Sequence, residues 1–595
     1  MCGIGGILFS ADTGPVLRKK IETISKAQRH RGPDDERTLV LGQHALCHQR
    51  LSLLDAAGGA QPFTDPSGRY HIVYNGEIYN HATLREVLRP HYDFHTRCDT
   101  EVVLAAYMVW GEACLDRFNG MFSFLIWDQQ NQQAFAARDP LGVKPLAYLV
   151  RQDTFYFASE VKALLRVLDQ APLPDTSRLA EFVIAPSLSG NGVNTIFQDI
   201  RYLEPGTLLR FGQDGLRLKT WYQFNWQTSN RDEYTLISEI DDALQQSVRL
   251  SIRADVPVGA FLSGGLDSSL LATLAAQHST QAIEAFTVAF ENHDQINFDP
   301  GTIVNSDDLP FAKQVARQVK AGFHQVTIQH PSLENSLREL ARINERIPVW
   351  EQEFSQHHLS RAASRHVKAV LVGDAADETN YGYYFLLNNQ VNHSPLGLMN
   401  LFGAEKRATM LSPKLRRELD PLQQLDAEYR QLVCKAGVQF GRCETENILA
   451  MSVLVNRRWL ARLLHNGDIH TMHFGLEARV PFANRNMLYA VSQVGPALGF
   501  KMGVEKYMLR QVALRHMPAT LALRKKSSLP RDPRLGAAYQ AILQQLLAGK
   551  HDFIDTYLDR KALETLSRQP TIPEADRLLL FNMISLIQWA SHYVQ

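Results

Sequence analysis

No surplus of one charge sign marks this chain: 62 lysines and arginines stand against 62 aspartates and glutamates in 595 residues. Long like-charge blocks are missing too, so there is no electrostatic footprint for a polyanion, and nucleic acid is not an expected partner. Cysteine is scarce. The six cysteines, at 2, 47, 98, 114, 434 and 443, have neither zinc-ligand spacing nor the density of a disulfide-stapled secreted fold, which fits a reducing cytoplasm. No run approaches the roughly 20 apolar residues that span a bilayer, and the start, Met1-Cys2-Gly3-Ile4-Gly5-Gly6, lacks the charged-then-apolar pattern of an export signal. A membrane is therefore not an expected partner, and the expected location is cytoplasmic.

What is present is length and enough apolar residue, 45%, to fill two or three cores. Up to about residue 210 the pattern is short strands broken by turns, expected at Ile4 to Phe9, Ala45 to Leu54, Tyr70 to Tyr74, Phe122 to Trp127, Gln133 to Arg138 and Phe155 to Ala158. One helix interrupts them, at about Thr100 to Trp110. Asn225 to Glu233 is polar and reads as linker, and beyond it helix and strand alternate. Strands are expected at Val256 to Leu262, Ala285 to Phe290, His324 to Ile328 and Val367 to Val372, with helices at Glu239 to Ser251, Ser269 to Gln277 and Leu309 to Val319. This alternation predicts a doubly wound parallel sheet, followed after about Leu387 by a mainly helical part. The expected domains are 2–210, a linker 211–233, and 234–595.

Two segments carry chemistry. If Met1 is removed, Cys2 holds both a thiol and an α-amine of pKa about 7.7–8.0 that can take the thiol proton, so nucleophile and base share one residue. By itself a Met-Cys start is more simply a small buried residue at a strand start. Further on, Val258-Gly259-Ala260-Phe261-Leu262 runs into Ser263-Gly264-Gly265-Leu266-Asp267-Ser268-Ser269 and then a helix, which makes an anion site from free N–H groups at a helix start. It lacks the Gly-Lys-Ser/Thr of a Walker loop and the spacing of a dinucleotide fingerprint, against γ-phosphoryl transfer and redox chemistry. Asp267 offers an oxygen ligand suited to Mg²⁺, and Gly373-Asp374-Ala375-Ala376-Asp377-Glu378 follows a predicted strand, so that the two acidic clusters can face each other at carboxyl strand ends.

Met1-Cys2-Gly3-Ile4, His30-Arg31-Gly32-Pro33-Asp34, Asn75-Gly76-Glu77-Ile78-Tyr79-Asn80 and Asp99-Thr100-Glu101 resemble the glutaminase domain of glutamine-hydrolysing asparagine synthetases and related class II amidotransferases. The serine-rich loop resembles that of ATP pyrophosphatases. Gly382-Tyr383, Gly475 to Phe482 and Glu505 to Arg510 resemble further segments of the same synthetases, in the same order. The resemblance implies an α+β N-terminal-nucleophile domain of stacked antiparallel sheets, then an α/β synthetase domain. It implies that Cys2 attacks glutamine, that Asn75 and the Gly76 N–H form an oxyanion hole, that Arg50 binds the glutamine α-carboxylate, and that Glu77 and Asp99 hold its ammonium. For ATP it implies Leu262, Ser263, Gly264, Gly265, Leu266, Asp267, Ser268, Ser269, Val288, Gly373 and Tyr383. Asp267 and Asp377 would bind Mg²⁺, Asp374 would serve as acid-base group, and Lys506 would neutralise phosphate charge. The other five cysteines are expected to be packing residues.

The expected partners are thus glutamine, ATP and a small carboxylate, aspartate first, with a homodimer left open. The family pattern is broken at Val372, Ala375, Thr379-Asn380-Tyr381, Ala483 and Asn484, and Glu291 to Asp307 reads as an insertion. These departures are expected to surround the acceptor. Alternatives are another acceptor, an intramolecular amide former resembling β-lactam synthetases or lasso peptide cyclases, or a silent scaffold that binds glutamine or ATP. The cyclases resembled generally lack the nucleophile that Cys2 retains.

Overall fold

The computed structural model describes residues 2–170, 172–190, 193–291, 307–328, 333–526 and 535–594. The expected insertion therefore lies almost wholly outside the described residues, as does Met1.

The N-terminal part holds two six-stranded sheets. The first runs, in spatial order, Arg201–Tyr202, Ala147–Arg151, Thr154–Ala158, Cys2–Leu8, His44–Arg50 and Asp35–Leu41; the second runs Gly215–Thr220, Thr207–Gly212, Gln133–Arg138, Gly120–Asp128, Tyr70–Ile78 and Phe63–Thr64. Every pairing is antiparallel. Alternation along the strands assigns the layers. Ile4 and Leu8 join Leu46, Val73, Leu125 and Phe157 between the sheets, whereas Ile7 and Cys47 face Leu17, Ile21 and Ile24 of the helix Gly14–Ala27. That helix sits close because Gly3 and Gly5 leave room: a Cβ on Gly5 would stand 2.5 Å from Ile24. On the far side, Val102, Val103 and Ala106 of the helix Asp99–Trp110 cover Phe122, Phe124 and Ala137. The helices Gly14–Ala27 and His81–Leu88 add to the single helix expected here.

Gly215–Thr220 pairs along its whole length with Thr207–Gly212, so the chain is still in the N-terminal sheet at Thr220. The linker expected from 211 begins only after it. It also ends early, because Asp232 caps the helix Glu233–Ser251 by accepting from the Thr235 N–H at 3.0 Å.

A five-stranded parallel sheet organises the second half, in the order Gly322–Ile328, Glu284–Phe290, Val258–Phe261, Ala369–Leu371, Glu477–Arg479. The fifth strand comes from the Gly475 to Phe482 segment, too short for its pattern to show. Strand order reverses between Val258–Phe261 and Ala369–Leu371, the arrangement that leaves a crevice at the carboxyl ends of such a pair. The remainder is helical, closed by Glu574–Tyr593, whose Leu580, Ile584 and Trp589 are buried. No helix of the described residues is long and apolar enough to cross a membrane. Cys47, Cys98 and Cys114 are buried, but Cys434 and Cys443 are exposed, so the packing role expected for those two does not hold.

Candidate functional site

The chain forms two polar centres, one in each half. Cys2 opens its strand opposite Arg50 and is 7% exposed. Its backbone nitrogen donates to Asn75 Oδ1 at 3.0 Å, and Asn75 Nδ2 is buried with no hydrogen-bond partner. A buried amide that cannot bond costs about 1–3 kcal/mol, so this donor is held ready for something the chain itself does not supply. Gly76 follows in the same strand, where a Cβ would stand 2.3 Å from Met121 O. Only glycine fits.

Around this centre Arg50 donates to the carbonyls of Leu54, Asp55 and Ala56, which aims its guanidinium through the loop after its own strand. Asp99 Oδ2 accepts from Tyr74 Oη at 2.7 Å and from the Ile78 N–H at 3.0 Å. Burial and then Asp99 push the Glu77 carboxyl up, against the pull of Arg479, whose Nη2 lies 3.6 Å away. Burial likewise raises the Cys2 thiol. The six residues expected at this centre are thus brought together, with Arg479 from the other half facing one of them.

The second centre lies at the switch in strand order. Gly264 has φ +81°, and a Cβ there would meet Ala312 N at 2.6 Å, so glycine sets the turn. Ser263 Oγ and Ser268 Oγ are 3.0 Å apart, bracing the loop at the start of the helix Leu266–His278. Gly373 closes the gap, since a Cβ on it would stand 3.2 Å from Asp267 Cβ. The two acidic clusters therefore do face each other. Lys506 joins them, with Nζ 2.5 Å from Asp267 Oδ2 and 2.6 Å from Asp377 Oδ1. It sits at φ +52°, a conformation that lysine rarely adopts and that places its side chain on the carboxylates. Burial alone would raise Asp377, but Lys506 and Lys526 outweigh it and hold this carboxyl below its usual range. Asp267 is raised by burial despite Lys506, and its Oδ1 is buried without a hydrogen-bond partner. Ser269 Oγ is also buried and unpartnered. Tyr383 donates to Glu378, while Val288 lies on the neighbouring strand Glu284–Phe290.

Asp374 stands apart from the lysines. Burial and then the Asp377 charge push its carboxyl up to about 7. Beside it, Gly467 is a glycine inside the helix Ala461–Met472, and a Cβ there would stand 3.2 Å from Asp374 Oδ2 and 3.7 Å from Gln356 Nε2. The next residue, Asp468, reaches the other half: Arg31 Nη2 donates to it at 2.7 Å, and Lys144 Nζ lies 3.5 Å away. Arg31 Nε in turn donates to Cys2 O at 3.2 Å. One helix therefore touches both centres through consecutive residues.

Sequence reasoning missed several of these groups. Arg31 stood in a quoted motif without a role. Lys526, which donates to Asp377 and to Gly382 O, carried only the weak signal of an adjacent Lys525. Lys144, Asp468 and Gly467 had no local signal, because their partners are more than 90 residues away in the chain. Among the departures, Ala375 (φ +71°) and Tyr381 (φ +55°) keep left-handed backbone where the resembled pattern has glycine. Asn484 is instead a helix cap, accepting from the Asn486 N–H at 3.0 Å, a task asparagine and aspartate share.

Comparison with known proteins agrees with this two-centre organisation. A family model described as a glutamine amidotransferase domain matches residues 1–222, and one described as asparagine synthase matches 239–591. Asparagine synthetase [glutamine-hydrolyzing] 3 of Bacillus subtilis is 29% identical over 95% of this chain and 93% of its own length. A probable asparagine synthetase of Schizosaccharomyces pombe is 31% identical over 86% and 79%, and asparagine synthetase B of Escherichia coli 27% over 88% and 81%. With both family models matched in order and such relatives covered over most of their length, the chain belongs to the glutamine-hydrolysing asparagine synthetase family of ligases.

Proposed function

We propose that this chain moves the amide nitrogen of glutamine onto a carboxylate that it first activates with ATP as an acyl-adenylate, releasing AMP and pyrophosphate. The observation that carries the reading is the helix Ala461–Met472. Its Asp468 is bonded to the arginine that holds the Cys2 carbonyl, and its Gly467 lets the helix pass in close contact with Asp374. A nitrogen freed at one centre would pass along this helix to the other, which would keep the acyl-adenylate from water.

At the first centre, removal of Met1 turns the Cys2 nitrogen into an α-amine already oriented by Asn75 Oδ1. That amine takes the thiol proton, the thiolate attacks the carboxamide carbon, and the oxyanion meets Asn75 Nδ2 and the Gly76 N–H. The α-ammonium returns the proton to the leaving nitrogen, ammonia departs, and water releases glutamate from the thioester. Arg50 takes the α-carboxylate of glutamine, and Glu77 with Asp99 its ammonium.

At the second centre the loop 262–269, Val288, Gly373 and Tyr383 hold ATP, with the helix start on the phosphates. Asp267 and Asp377 would hold Mg²⁺, and the unpartnered Asp267 Oδ1 fits that task. Magnesium, when bound, supplies charge neutralisation on the phosphates. Lys506 adds a fixed positive charge where pyrophosphate departs, its ammonium kept protonated against burial by Asp267 and Asp377. Asp374, poised near neutrality, accepts a proton from the attacking ammonia as the acyl–oxygen bond to AMP breaks. Asparagine in the relatives' names makes aspartate the first acceptor to offer, and Val372, Ala375 and Tyr381 are where this chain departs from the resembled pattern.

The test uses full-length enzyme with ATP, Mg²⁺, a carboxylate panel and glutamine labelled with ¹⁵N in the carboxamide. AMP, pyrophosphate and ¹⁵N in a product amide are expected. ADP with orthophosphate, or a product without label, would sink the reading.

A further inference from the structure

The centre at Cys2 takes a charged side chain from the other half of the chain. Arg479 ends the strand Glu477–Arg479 of the parallel sheet, is fully buried, and sets its Nη2 3.6 Å from Glu77 Oε2. The rest of its guanidinium is fixed within its own half. Nη1 donates to Ser251 O at 2.8 Å and to Arg253 O at 2.6 Å, and Nε donates to Glu477. Nη2 is buried and makes no hydrogen bond. Because the fork is planar and two of its nitrogens are held, the third is aimed at Glu77 by the fold of the synthetase half.

Glu77 needs that cation. It is buried, its carboxylate makes no hydrogen bond among the described residues, and Arg479 is its only ion-pair partner among them. Asp99 adds a second buried negative charge beside it, and Glu477 a third. Burial and these neighbours favour a protonated Glu77, and a neutral acid offers the α-ammonium of glutamine no counter-charge. Against them stand Arg479 and, more weakly, the amine at the start of the chain. The phenols of Tyr74 and Tyr79 are the other titratable groups that feel Glu77.

The same residue is tied to the adenylating loop through its main chain. Leu371 pairs with Arg479, and the Val372 N–H donates to Arg479 O at 2.9 Å, immediately before Gly373 and Asp374. Next to it, Ala478 O accepts from Lys144 of the N-terminal half at 3.4 Å. This short strand is thus held on one edge by the loop that carries Asp374 and meets the glutamine centre with its side chains.

We propose that Arg479 is a positioning residue of the glutamine site: it holds Glu77 as the carboxylate that receives the α-ammonium, so that the amidotransferase half binds glutamine fully only with the synthetase half docked on it. The inference rests on the glutamine site described above and adds to it a residue from the other half.

The test follows glutamine hydrolysis by the full chain, with glutaramate, which is glutamine without its α-amine, as a competitive inhibitor. An opposite charge at this range moves a carboxyl by about one pH unit or more. Arg479→Gln should therefore raise the glutamine KM about 10-fold at neutral pH with little change in kcat, and the fall of KM with rising pH should move about one unit higher, because Glu77 then ionises later. The Ki of glutaramate should stay as it was, since it brings no ammonium to Glu77. Arg479→Lys keeps the charge and should keep KM within about threefold of the parent. ATP–pyrophosphate exchange reports that each variant is folded. An unchanged glutamine KM in Arg479→Gln, an equal rise in that KM and in the glutaramate Ki, or a 10-fold rise in Arg479→Lys overturns the inference. Glu77→Gln separates it from the reading beneath: a raised KM there with none in Arg479→Gln leaves the glutamine site standing, whereas no rise in either removes Glu77 from that site as well.

Discussion

Gly382→Ala gives the sharpest test of the phosphate-side geometry. A Cβ at this position would stand 2.0 Å from Asp377 Oδ1, 2.5 Å from Lys506 Cε and 2.6 Å from Asp377 Cα, where ordinary contact begins at 3.4 Å. Neither neighbour can yield freely. Lys506 Nζ is pinned between Asp267 at 2.5 Å and Asp377 at 2.6 Å, and one of the three clashes is with backbone. The carboxylate and the ammonium must therefore retreat by roughly 1 Å, and displacing catalytic groups by that much costs on the order of 10²-fold in rate. Overpacking should also lower stability by about 1–3 kcal/mol. The assay is ATP–pyrophosphate exchange, with glutamine hydrolysis at the distant Cys2 centre as the control for folding. Exchange should fall by about 100-fold while glutamine hydrolysis persists. Exchange at the parental rate in a folded variant would show that Asp377 and Lys506 are not held by this contact, and the reasoning would fail.

Three further outcomes follow from the same geometry. Asn75→Ala removes the unpartnered donor beside Cys2 and should lower glutaminase kcat by about 10²–10³-fold, sparing synthesis from added ammonia; equal loss of both would place Asn75 outside the oxyanion site. Asp468→Ala leaves Lys144 and one face of Arg31 buried without their counter-charge, a cost of about 3–5 kcal/mol in denaturant titration, and unchanged unfolding would refute the link between the halves. Asp374, raised to about 7 by burial and then by Asp377, should give glutamine-dependent synthesis an inflection near pH 7, with the higher rate on the alkaline side where the base is free. The native state keeps this proton between the ordinary value of 3.8 and about 7, so the same group's contribution to stability falls as pH rises through that window. A pH–rate profile flat through neutrality would remove Asp374 as the base.

Much of the architecture was legible before any coordinates. Short apolar strands bounded by turns and the later alternation of helix and strand are local patterns, and they lie where Tyr70–Ile78, Gly120–Asp128 and Glu284–Phe290 are found, each buried along nearly its whole length. The helix Gly14–Ala27 gives a weak local signal, because its buried face is just Leu17, Ile21, Ile24, Ser25 and Ala27 among polar neighbours. The strand Glu477–Arg479 is three residues long, too short to show any period.

By itself the sequence determined which residue types lie at each turn: glycines at 76, 264 and 382, where a Cβ has no room, and the acidic and serine-rich loops that follow core strands. Those are local constraints, written in neighbouring letters. Only the tertiary structure decided that Lys506 and Lys526 close on Asp377, that Asp468 binds Arg31 and Lys144, and that the rings of Trp350, Tyr383, Phe385 and Phe402 gather around Trp459. Such contacts join segments far apart in the chain, and electrostatic pairing and ring stacking act over a few ångströms of space whatever the distance in sequence.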